Sequence, residues 1–407
     1  MGGGNVALAD RGNQVRQFTR GIEFDYVEWT IEALQLKLQQ VALGTTDGYP
    51  DEAASEIVLE MINLVEERGY LEWELNTLLA DPSVEQLQEN INEKQVQLNG
   101  VLDELENIRP IAESILQKQL SSVIAEMNLD FLGQAVPPVL FHSTPLPWAL
   151  IVSPRAQIGQ EANISLQVEM SLPDQIALED EVAGNLDVAT LVVPVGGIGS
   201  YPTMIAQSNN LNWLAEVIAH EWIHNYLTLR PLGLLYNRSQ ELRTLNETVA
   251  SIAGKELGRA LIARFYPEWA PAEIVPAPPN PELNSEQASI EAVEPVFDFR
   301  TEMHSTRIQV DALLNQGLIV EAEQYMEQRR LLFWMQGYAI RKINQAYFAF
   351  YGSYADVEAG PAGEDPVGDA VRRIWVSANS LSDFVNQMAL ITNSDELFLL
   401  SETLEKD

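Results

Sequence analysis

Residues 214–227 read LAEVIAHEWIHNYL. The chain has four histidines, and two of them, His220 and His224, fall in this stretch with Glu221 beside the first. The wider segment LNWLAEVIAHEWIHNYL (211–227) is apolar at three- and four-residue steps, which predicts a buried or half-buried helix. On a helix, residues four apart stand one turn above the other, so both imidazoles can reach one cation. Glu221 is rotated by about 100° from His220. Its carboxylate then lies beside the metal, placed to take a proton from a water that the metal acidifies. Four histidines in this length would give an H-E-x-x-H match by chance in roughly 0.004 chains. The competing reading is a core helix with two partnered histidines.

Working outward, a catalytic zinc site needs a third protein ligand and an open position. Glu247 in TLNETVASIAGKELG is the candidate, separated from His224 by residues 225–246. That length lets the first helix end, a loop turn back through LRPLGLLYNRS, and a second helix run from about Thr244 to Phe265. Glu247, Ser251, Gly254 and Gly258 share a stripe of that helix. Glycine inside a helix costs about 1 kcal/mol, so two on one stripe predict close packing of two backbones. The alternative for Glu247 is a capping box with Thr244, the carboxylate merely reaching back to the helix start. Glu241 and Glu256 are weaker ligand candidates.

The remainder supports a predominantly helical α+β chain. Residues from about 14 to 130 carry helical periodicity, with a heptad-like seam at Leu87, Ile91, Leu98, Leu102 and Leu105 and a break at Asp81-Pro82. They predict a helical hairpin or small bundle (1–135) that serves packing or partner contact. Prolines in AVPPVLFHSTPLPWALIVS forbid a helix there, and ALIVS, ISLQVEM and VATLVVPV predict a small sheet, interrupted by the helix PDQIALEDEVAGNL. The expected division continues with a catalytic core at 136–270, a proline- and acid-rich linker at 271–295, and a C-terminal helical domain at 296–407 that closes a cleft.

Composition narrows the partners. The formal charge is −35, from 24 basic and 59 acidic residues, a field that repels nucleic acid and anionic lipid. With no cysteine, disulfides and thiolate chemistry are excluded, and a metal must be held by His, Asp or Glu. No run of 18 or more apolar residues occurs, so no membrane span is expected. The opening MGGGNVALADRG has no signal-peptide pattern, and a segment ahead of it, export signal or anchor, stays open. The expectation therefore covers both cytoplasmic and extracytoplasmic bacterial compartments, and the oligomeric state is left open.

HEWIH followed by NETVA resembles the gluzincin pattern of zinc peptidases, H-E-x-x-H then N-E-x-x-A, found in thermolysin-like enzymes and zinc aminopeptidases. It is most similar to a family of predicted bacterial zinc aminopeptidases, from which NETVASIAGKELG departs in glycine spacing. NQAYFAFYGSYAD (344–356) resembles a helix ending in tyrosine in that family. The likeness covers roughly 190–265 and 300–356. It implies Zn²⁺ held by His220, His224 and Glu247, Glu221 as general base, and an edge strand before the motif helix that receives a peptide substrate. VVPVGGIGSYPTMI, with Gly196, Gly197 and Gly199, suits that strand.

Two positions depart from the pattern. Ser251 stands where thermolysin-like enzymes often carry a supporting Asp, and GGIGSYP has no acid to hold a substrate amine, which weakens an aminopeptidase more than a peptidase. An oxyanion donor is expected among Tyr347, Tyr351, Tyr354 and His304, with Tyr347 and Tyr351 favoured. Arg307 and Arg341 are candidates for a substrate carboxylate, and His142 is read as structural. The rival expectation is a non-enzymatic helical binding or scaffold protein with a structural or degenerate zinc site.

Overall fold

A computed structural model describes residues 7–42, 48–80, 88–271, 297–352 and 365–404. The chain is predominantly helical α+β, with 67% of the described residues in helix. The expected linker at 271–295, the Asp81-Pro82 break, Leu87 and Tyr354 lie outside the described residues, apart from residue 271 itself.

The apolar runs of the middle segment form a three-stranded antiparallel sheet, β2 (Trp148–Pro154) between β3 (Ala162–Leu166) and β4 (Val188–Val193). The five interior residues of β2 and all of β4 are buried, which explains continuous apolar runs where a half-exposed sheet would alternate. One face packs Leu150, Val152, Ile164 and Val192 against α1 (Ala7–Thr19) and α5 (Leu172–Leu186). The other packs Ile151, Leu191 and Val193 against α9 (Phe299–Asn315), α10 (Ile319–Met335) and α11 (Gln345–Tyr351). Buried Glu179 of α5 ties the two layers, accepting from Arg341 at 2.6 Å and Lys342 at 2.7 Å. Arg307 is likewise engaged, with Asp311 at 2.7 Å.

The second half is helical. Its centre is α6 (Leu211–Leu227) packed on α8 (Gln240–Phe265), with the short α7 (Pro231–Leu234) in the connection. Around them, in one continuous core, lie α3 (Asp51–Ala80), α4 (Gln88–Glu126), α12 (Pro366–Ser377), α13 (Leu381–Met388) and α14 (Ser394–Leu404). This core runs across the expected division at 135/136, and the C-terminal helices split between the sheet and the helical half. The α3–α4 hairpin uses Ile91, Leu98, Val101 and Leu105 as its seam, while Leu102 is 40% exposed, because the contact follows the helix face through Val101.

Between the halves a second sheet, β1 (Phe141–Ser143), β6 (Thr203–Ile205) and β5 (Gly197–Ile198), is ordered β1-β6-β5 with β5 at its edge. Here α2 (Tyr26–Ala42) is tied in by a polar cluster. Buried Glu113 of α4 accepts from Lys37 Nζ at 2.5 Å and the Ser143 amide at 2.7 Å, with His142 Nδ1 at 3.1 Å. Burial opposes its charge, but Lys37 and His142 hold its pKa down to about 2. His142 is thus a hydrogen-bonding partner in a polar network around buried Glu113. The sequence reading placed no chemical cluster in the N-terminal helices, because Lys37 and Glu113 stand 76 residues apart and meet only through tertiary packing.

Candidate metal centre

Each half of the centre comes from one helix with a defined start. Asn210 caps α6, its side chain accepting from the Trp213 amide. Ser239 caps α8 by accepting from Leu242 N, so that helix begins at Gln240, four residues earlier than expected. Glu247 therefore lies two turns inside the helix, and the capping-box reading with Thr244 does not apply.

The two helices approach closely where the glycines stand. A Cβ at Gly254 would lie 2.9 Å from the backbone N and Cα of His220, and one at Gly258 would lie 2.9 Å from those atoms of Glu216. Only a residue without a side chain fits at either point. The contact brings Glu247 Oε2 to 3.6 Å from His220 Nε2 and 3.4 Å from His224 Nε2, with the two Nε2 atoms 3.0 Å apart. Among the described residues these three form the one His/Asp/Glu group whose ligand atoms all lie within 4.8 Å of one another. Glu241 and Glu256 are not part of it, and Glu256 pairs with Arg259.

The polar surroundings fix how these groups point. Asn246 Nδ2 donates to Leu232 O at 3.5 Å, which turns its Oδ1 toward His224 Nδ1 at 2.8 Å. An amide oxygen only accepts, so Nδ1 carries a proton, and in its neutral form, the one a metal takes, His224 presents a bare Nε2 to the triad. Tyr236 donates to Glu247 Oε1. Glu247 Oε2 is buried and has no hydrogen-bond partner. A buried carboxylate oxygen left without a donor, facing two imidazole nitrogens, fits a cation: these are hard and borderline ligands of the kind zinc takes. Without a cation the Glu247 carboxylate and the His224 imidazole hold one another in their charged forms. Burial opposes the charge on Glu247, but His224 and His220 hold its pKa well below the ordinary carboxylate range. Burial likewise opposes charge on His224, and Glu247 and Glu221 outweigh it and raise His224 to about 9. Burial pushes Tyr236 well above its usual value, and Glu247 adds to that shift.

Glu221 is buried on the neighbouring face of α6, and burial raises its pKa against the opposing pull of His224 and His220. Its wall is β5. A Cβ at Gly197 would meet Glu221 Oε1 at 2.6 Å, one at Gly199 would meet Oε2 at 3.4 Å, and one at Gly196 would meet Trp213 at 3.1 Å. The glycines of this segment thus make room first for Glu221 itself.

The triad opens into a cleft of about 910 Å³ between the two halves. Gly196, Gly197 and Gly199 line it, as does Tyr351 at the end of α11. Tyr347 does not: it is buried beneath, its ring centroid 4.6 Å from that of Tyr351. His304 on α9 is also away from the cleft lining, with Nδ1 buried and unpartnered. Among the lining residues that escaped the sequence reading are Tyr236, Arg243 and Asn246. Asn246 stood in the quoted NETVA, and the signal that would have found it is the need of a ligating His for an acceptor on its other nitrogen.

Comparison of the chain with family models, with curated proteins and with solved structures found no match. Among the described residues no helix is long and apolar enough to cross a membrane.

Proposed function

We propose that this chain is a zinc-dependent peptidase of gluzincin type. The observation that carries the reading is the orphaned Glu247 Oε2, buried between His220 and His224 with Glu221 alongside and an open cleft in front. His220, His224 and Glu247 would hold the ion. When bound, zinc would supply Lewis acidity, polarising a peptide carbonyl and acidifying water beside it.

The chain's own groups do the rest. Glu221 takes the proton of the attacking water and passes it to the leaving amine. Asn246 keeps the proton of His224 on Nδ1, and Tyr236 holds Oε1 of Glu247 so that Oε2 faces the imidazoles. Edge strand β5 offers a site for the substrate backbone. Tyr351, the cleft-lining member of the expected donors, is assigned to the developing oxyanion.

The test is metal content of purified wild type beside Glu247→Ala. One zinc per chain in the wild type, lost or greatly weakened in the variant, supports the three-ligand site. No zinc after reconstitution would sink the reading. Zinc bound without hydrolysis of any peptide would favour the non-enzymatic protein with a structural zinc site.

A further inference from the structure

The arginines suggested by sequence for a substrate carboxylate are engaged elsewhere, Arg341 with Glu179 and Arg307 with Asp311. Arg243 is different. It stands on α8 one turn before Glu247, is half-buried and lines the cleft. Among the described residues it forms no ion pair, and its Nε is buried without a hydrogen-bond partner. Its guanidinium carbon lies 5.3 Å from the centroid of the Tyr236 ring, which gives the fork a platform. In a chain with 59 acidic and 24 basic residues, a cleft cation left without a carboxylate stands out. Removing a guanidinium from water is costly unless an anion meets it, and its planar fork matches a carboxylate with two parallel hydrogen bonds.

We propose that Arg243 receives a carboxylate of the peptide substrate and sets a preference for chains that present an acid one or two residues beyond the cleaved bond. The inference rests on the peptidase reading and names its substrate class. Arg243 stands four helical steps before Glu247, about 6 Å along the axis. An extended peptide covers about 3.3–3.6 Å per residue, so a carboxylate on Arg243 belongs to a group one or two residues from the triad. The acid is either the free C-terminus or an Asp or Glu side chain near it.

The test uses zinc-loaded Glu221→Gln protein, which keeps the metal ligands and prevents turnover. By calorimetry it is titrated with one pentapeptide in three forms: free acid, C-terminal amide, and amide with Glu in the penultimate place. The free acid binds at least about tenfold tighter than the plain amide, the scale of a charge-assisted bidentate pair. Recovery by the Glu-containing amide assigns the side chain as a second source; no recovery assigns the C-terminus alone. Adding Arg243→Met removes the difference, and Arg243→Lys keeps part of it, with melting curve and zinc content matching the parent. Equal binding of all three forms, a preference that survives Arg243→Met, or no binding of any form would overturn the proposal. Failure of the peptidase reading looks different: zinc-loaded wild type that cleaves neither acid nor amide.

Discussion

At the scale of single residues, the centre depends on which atoms are left unsatisfied. Asn246 and Tyr236 each occupy one side of a ligand, and so direct the other side inward. Asn246→Ala removes the acceptor for His224 Nδ1–H and frees the ring to turn or change tautomer. Zinc affinity should fall about 10- to 100-fold, read by competition with a chelator, and Asn246→Asp should recover part of it. An unchanged affinity would show that packing alone orients the ring. The His220, Glu221, His224 and Glu247 set was legible because its chemistry is written at fixed helical spacing. Tyr236 and Arg243 were not, since each belongs to the turn between α6 and α8 or the first turns after it. A Tyr or Arg there has no periodic signature, and it joins the site only when the chain folds back.

At the scale of elements, the close contact of α6 and α8 holds the ligands together. Gly254→Ala should gain roughly 1 kcal/mol in helix propensity but lose more, since the added methyl meets His220 backbone that cannot swing aside. A net loss of about 1–2 kcal/mol with weakened zinc binding is expected, read from denaturant melts and chelator competition. Gly184→Ala in α5, where a Cβ meets nothing within 4 Å, is the control and should be neutral or stabilising. The glycine stripe could be read as a packing surface from sequence, and its partner could be inferred from the zinc chemistry. The start of α8 could not: Thr244 and Glu247 make a capping-box pattern, and only the observed bond from Leu242 N to Ser239 places the start at Gln240. The Lys37–Glu113 link joins α2 to α4 by a different means. Lys37→Met takes the buried ammonium from Glu113, leaving it the Ser143 amide and His142, and should cost about 3 kcal/mol in stability.

The same pair gives the whole molecule a pH signature. Glu113 is held near 2 in the folded chain, below its ordinary carboxylate value of 4.5. Its contribution is fully present above pH 4.5 and is lost as the pH falls from there toward 2. Wild-type stability should decline through that window, and less steeply in Glu113→Gln, measured by thermal melts between pH 2 and 6.

The molecule as a whole sets a helical half, carrying the triad, opposite a sheet half whose Tyr351 and β2–β3 residues form the far wall of the cleft. Helical dominance and the small sheet could be read from periodicity. The two-sided packing of the sheet and the sharing of C-terminal helices between both halves depend on long-range contacts that no local pattern encodes. The most direct measurement of the central claim is hydrolysis of a quenched fluorescent peptide set by zinc-loaded wild type and zinc-loaded Glu221→Gln, at matched metal content. The account predicts cleavage by the wild type that a chelator abolishes, and a loss of about 10²–10⁴-fold in the variant. Equal rates in the two proteins, or no cleavage by a wild type that holds its zinc, would contradict it.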